Sequence, residues 1–158
     1  MVFPKEFILQ FLSRRTNLPI EGIFCEVTLF AKKKNNYDFQ PPLTNTKGET
    51  VISRDYVLEE IRRLKTLWIM DFQSSLDECL DEVRIEVPSG REIAKWIEDY
   101  GKDKQLQEIY RAQYKCDLDI ARLENTSNGQ YKPIVMRLNV ATISDGEVVV
   151  VRLEHQDG

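Results

Sequence analysis

Few residues in this chain have the type and spacing that chemistry needs. His155 is the one histidine. A serine or cysteine nucleophile ordinarily works beside a histidine base that a third group holds in place. A histidine this close to the last residue, in what reads as a C-terminal tail, is a poor base. Zinc wants several His or Cys ligands at short spacing. Here Cys25, Cys79 and Cys116 lie far apart, with no Cys-x-x-Cys pair. The seven glycines are scattered and form neither of the two common phosphate-cradling loops. The sequence therefore calls for no cofactor.

Carboxylates are the other chemical resource. Asp77, Glu78, Asp81 and Glu82 crowd a segment that reads as a short helix begun by Ser74 or Ser75. Asp77 and Asp81 are four apart and so share a helix face, with Asp71 just upstream. Oxygen ligands on one face suit Mg²⁺ or Ca²⁺. Asp71, Asp77 and Asp81 are thus the metal candidates of one alternative, a carboxylate enzyme using a divalent metal. The competing reading is favoured because no glycine-containing calcium loop is present. In it these side chains solubilise a helix whose other side is Leu76, Cys79 and Leu80.

Aromatic residues offer a third possibility. Trp68 and Trp96 fall in register with apolar stripes and read as core. Tyr100, Tyr110 and Tyr114 sit on expected helices where tyrosine suits an interface. Tyr37 and Phe39 precede Pro41-Pro42 on an expected edge strand, and an edge can accept a partner strand. These five are the candidate partner-binding residues.

Charge narrows the partner. There are 22 basic against 26 acidic side chains, a net charge of −4. Proteins that neutralise many phosphates usually carry a basic excess. The basic runs here are Lys32-Lys33-Lys34 and the pairs Arg14-Arg15 and Arg62-Arg63, which read as solvated faces. Nucleic acid is disfavoured, although an accessory protein using Lys32, Lys33, Lys34 and Arg84 is a further alternative. The odd count of three cysteines argues against a secreted disulfide scaffold and for a reducing compartment. No apolar run reaches about 18 residues, and the first residues lack the basic and apolar regions of a signal peptide. The expected location is the cytoplasm, away from any membrane.

The elements that must position these residues follow from periodicity. Phe3, Phe7, Ile8, Phe11 and Leu12 recur at helical spacing, predicting a helix over 4–15. Alternation predicts a long strand over 22–33, then strands over 37–40 and 49–52. Ser53 offers an N-cap to a helix over 54–69, its stripe formed by Val57, Leu58, Ile61, Leu64 and Trp68. A strand follows over 83–87. Ser89 and Glu92 fit a capping box for a helix over 89–100, and another helix spans 103–124. Strands over 132–143 and 147–154 flank Asp145-Gly146, a strong hairpin signal. The four valines from Val148 to Val151 suggest a strand buried on both faces or central in a sheet.

Residues 22–52 carry a long first strand, a short strand, and the turn Leu43-Thr44-Asn45-Thr46-Lys47-Gly48-Glu49-Thr50 leading into Val51-Ile52. This arrangement resembles the opening of transthyretin-like and carboxypeptidase-regulatory-like β-sandwich modules. The resemblance covers about a fifth of the chain. It departs from the family pattern in the helix at 54–69 and the helices at 89–124. It implies a binding or adaptor role and carries no catalytic residues across.

The expected fold is a single α+β domain over 1–158. It has an antiparallel sheet, open to a sandwich-like arrangement, with about four helices on one side or end. The expected function is that of a non-catalytic protein-binding or adaptor protein, a subunit of a larger intracellular assembly, whose partner is another protein.

Overall fold

The computed structural model describes residues 3–31, 37–64, 80–105, 108 and 123–157. Among the described residues seven strands, β1 (Glu6–Ser13), β2 (Glu26–Ala31), β3 (Tyr37–Phe39), β4 (Glu49–Ser53), β5 (Leu80–Val87), β6 (Ile134–Asn139) and β7 (Val148–Leu153), form two sheets. Among the described residues there are two α-helices, α1 (Arg54–Leu64) and α2 (Gly90–Lys102). The protein is thus mainly β, which overturns the expected single sheet with about four helices. The helix expected over 103–124 falls almost wholly outside the described residues, as do 65–69 of the helix expected over 54–69.

The N-terminal helix is the largest correction. Residues 6–13 form a strand whose inward residues Phe7, Leu9, Phe11 and Ser13 alternate with Glu6, Ile8, Gln10 and Leu12. A short apolar run satisfies periods of 2 and 3.6 at once, and periodicity alone cannot choose. Leu9 discriminates between them. It falls outside the helical stripe yet is fully buried, as the strand requires.

β1 is the centre of the first sheet, antiparallel to β4 and parallel to β7. The second sheet has the order β3-β2-β5-β6, antiparallel throughout. The long strand expected over 22–33 begins later, at Glu26, and is described to Ala31. The expected C-terminal hairpin does not form. Asp145-Gly146 does turn, with Gly146 at φ +76°, but β6 pairs β5 while β7 crosses to β1. A 3₁₀ turn, Val140–Thr142, ends β6. The Asn139 side chain accepts from the Ala141 amide, and Val140 is buried. The valine strand is therefore neither central nor buried on both faces. Among the described residues it is an edge strand with alternate residues exposed.

The two sheets share one core. Phe7, Leu9 and Phe11 of β1, Ile52 of β4, and Val151 and Leu153 of β7 join Val27 and Leu29 of β2, Phe39 of β3, and Val83, Ile85 and Val87 of β5. Burial of each such side chain contributes roughly 1.5–3 kcal/mol. The helices begin where local chemistry places them. The Ser53 hydroxyl accepts from the Tyr56 amide at 3.0 Å, and Ser89 from that of Glu92 at 3.1 Å. Through Ile93, Trp96 and Ile97, α2 covers a smaller cluster with Phe24 and Leu123.

Two buried polar side chains join distant segments. Thr44 donates to Ile20 O (2.7 Å) and accepts from the Ile23 amide (2.9 Å). Asn128 accepts from the Phe24 amide (2.8 Å) and donates to Phe24 O (2.9 Å) and Pro88 O (3.0 Å).

Candidate functional site

Ser13 and His155 come together, which the sequence did not suggest. The Ser13 Oγ lies 2.9 Å from His155 Nε2. The Tyr131 ring sits over the imidazole, centroids 4.8 Å apart, and burial pushes the Tyr131 phenol up from its ordinary pKa. The end of the chain is therefore no loose tail. Tyr131 bridges His155, the Gln156 amide donates to Gln130 O (2.9 Å), and Arg15 pairs with Asp157 at 3.2 Å. Ser13 is 4% exposed, and its oxygen also accepts from the Thr16 amide at 3.3 Å. A nucleophile needs a route to its substrate. This group is instead a clasp fastening the chain's end to β1.

A notch of about 370 Å³ is lined by Phe3, Pro4, Lys5, Arg54, Ile143 and Asp145. Its parts are engaged with each other: the Lys5 amide donates to Asp145, and Arg54 to Phe3 O. On the outside of the second sheet, Arg84 and Arg137 approach the Phe30 ring at 5.3 and 5.8 Å. Arg84 also donates to Thr28 Oγ1, and Arg137 pairs with Glu82. Lys32, Lys33 and Lys34 lie outside the described residues.

Four of the predicted site residues, Tyr37, Phe39, Asp81 and Tyr100, lie among the described residues. Phe39 is buried, packed edge-on to Tyr56 with centroids 6.0 Å apart, so it supports the core instead of presenting a surface. Tyr37 lies on β3 and Tyr100 on α2, their side chains outside the described set. Tyr110, Tyr114, Asp71 and Asp77 lie outside the described residues. Asp81 is on strand β5 and not on a helix with Asp77. Among the described residues no three His, Cys, Asp or Glu side chains gather as metal ligands. Among them also, no helix is long and apolar enough to cross a membrane.

The arrangement most suited to a task is the first sheet's outer side. Register places Val51, Ile8 and Val148 in one row across β4, β1 and β7, and Glu49, Gln10 and Val150 in the next. Val51, Val148 and Val150 are 44%, 45% and 39% exposed. Beside this face runs the edge of β7. The Ile8 amide donates to Glu147 O and the Arg14 amide to Leu153 O. Successive strand residues turn their peptide groups to opposite sides, so Val148, Val150 and Arg152 turn theirs outward. Among the described residues nothing pairs with them. The open stretch ends at Glu154, whose carbonyl accepts from the Lys132 amide at 2.8 Å.

Other edges are guarded. β3 has three residues and is followed by Pro41-Pro42. β4 is flanked by the 42–45 segment, with Thr50 donating to Pro42 O and the Asn45 amide to Glu49 O. β6 has Pro133 before it and Arg137 within it. Short strands, prolines and charges are the usual means of blunting an edge, and along β7 the one such feature is Arg152, near its end. The signal was present in the sequence as four successive valines, but a central strand would look the same. The chain matches no protein-family model, no curated protein and no solved structure.

Proposed function

We propose that the protein is a cytoplasmic protein-binding module that takes a strand of a partner protein along the open edge of β7. The observation that carries this is the edge at Val148, Val150 and Arg152, open among the described residues and flanked by the exposed valine face. Added strands gain main-chain hydrogen bonds along the edge, and alternate side chains give selectivity. The odd count of three widely spaced cysteines suits a reducing compartment.

The test is hydrogen exchange and affinity purification of the full chain, with Val148→Lys and Val150→Lys beside the control Val135→Lys on the other sheet. We expect a stoichiometric protein that slows exchange at the Val148, Val150 and Arg152 amides and is lost from the two edge variants alone. Partner proteins retained equally by all variants would overturn the reading.

A further inference from the structure

The open stretch of β7 has properties that select its occupant. It is bounded at one end by the Gly146 turn, whose amide donates to Glu6 O, and at the other by the Lys132–Glu154 contact. Between them, Val148 to Arg152 is five residues long and holds one charge, at its end. A strand that fills it must match this length and must not set a second cation beside Arg152.

We infer that the occupant is β7 of a second copy of this chain, antiparallel about a two-fold axis through Val150, so that two three-stranded sheets become one sheet of six strands. This rests on the strand-accepting reading above. The register follows from which peptide groups point outward. With Val150 opposite its own copy, Val148 lies opposite Arg152 of the second copy, and Arg152 opposite its Val148. All three residues with outward groups then fall at hydrogen-bonded pair positions, each pair exchanging two N–H···O bonds. No outward group between Val148 and Arg152 is left over.

Shifting the register by one residue would oppose inward-turned peptide groups. Shifting it by two would leave Arg152 or Val148 unmatched. Charge agrees with this choice. The two arginines sit at opposite ends of the pairing, about 13 Å apart, each with its aliphatic stem across from a valine. A parallel pairing in register would set them side by side, which is unfavourable. The Gln10 and Glu49 row of each copy then runs continuously through the paired Val150 residues.

The test is the mass of the purified full chain by light scattering across a concentration series. The chain is expected to be a dimer, Val150→Lys a monomer with unchanged circular dichroism, and Val135→Lys still a dimer. Cysteine pairs check the register. Hydrogen-bonded antiparallel residues have Cα atoms about 5.5 Å apart, within disulfide reach. Val150→Cys is expected to form a crosslinked dimer on mild oxidation and Val148→Cys alone not to, whereas Val148→Cys combined with Arg152→Cys does.

A monomer at every concentration, a dimer indifferent to Val150→Lys, or self-crosslinking of Val148→Cys would each overturn the inference. If Val150→Lys fails to fold, exchange at the Val150 amide of the unaltered chain decides: it slows with concentration in the dimer and is constant otherwise. A monomeric chain whose edge variants lose a different protein would refute the dimer and leave the strand-accepting function standing.

Discussion

Replacing Asn128 with alanine removes three hydrogen bonds at once and leaves the Phe24 amide, the Phe24 carbonyl and the Pro88 carbonyl buried without their partner. A buried polar group left unsatisfied costs about 1–3 kcal/mol. Water entering the small space left by the side chain recovers part of that, so the low end applies to each, giving a total of about 3 kcal/mol. For a chain of this size the melting temperature should fall by about 6–12 °C. With a urea m value near 2 kcal/mol/M, the midpoint should fall by about 1.5 M with m unchanged.

Asn128→Asp sharpens the test. The carboxylate can still accept from Phe24 but faces two carbonyl oxygens, so its folded pKa must rise above the unfolded value. The neutral acid has one O–H and can donate to one of the two carbonyls that the amide served. The defect is therefore largest above the folded pKa and shrinks as pH falls through it, opposite to the usual acid loss of stability. Urea unfolding of both variants at neutral and mildly acidic pH reads this directly. A loss below about 0.5 kcal/mol for Asn128→Ala, the range of an ordinary surface change, would refute the view that this side chain joins the segment leading into β2 to the one leading into α2.

Other substitutions probe the strand, a turn, the valine strand and the surface. Leu9→Ala should cost about 2–5 kcal/mol and Ile8→Ala clearly less, measured by urea unfolding, because only Leu9 faces the core; a helix would not separate them this way. Gly48 has φ +73°, and a Cβ there would stand 2.5 Å from Phe11 O. Gly48→Ala should therefore exceed the roughly 1–3 kcal/mol of a left-handed non-glycine residue, seen as a fall in melting temperature. Val151→Thr should destabilise the fold measurably while Val150→Thr leaves stability unchanged, since Val151 is buried and Val150 is not. Glu98 is held below its ordinary pKa by its hydrogen bond to Lys102, so any stabilisation is present above the unfolded value and lost as pH falls through the folded one. The pair is fully exposed, and Lys102→Ala should leave the melting temperature unchanged at neutral pH.

Local chemistry was legible in the sequence. Ser53 and Ser89 start helices because their hydroxyls satisfy amides a few residues ahead, which needs no distant partner. The alternation within 26–31 and 83–87 marked strands, and Asp145-Gly146 marked a turn, because these depend on neighbours in the chain. The sequence also showed that the candidate chemistry was sparse, and its protein-binding expectation pointed to strand edges, though through Tyr37 and Phe39.

Tertiary structure decided the rest. Residues 6–13 satisfied two periodicities, and the pairing of β1 with β4 and β7 settled which face is buried. β7 could pair with β6 as a hairpin or cross to β1. The 3₁₀ turn at Val140–Thr142 and the core around Leu153 favoured the crossing, which left the valines at an edge. Asn128 has its role only because Phe24 and Pro88, distant in sequence, are brought to its amide. Openness of an edge, like the meeting of Ser13 with His155, depends on residues far away in sequence, and no local pattern encodes it.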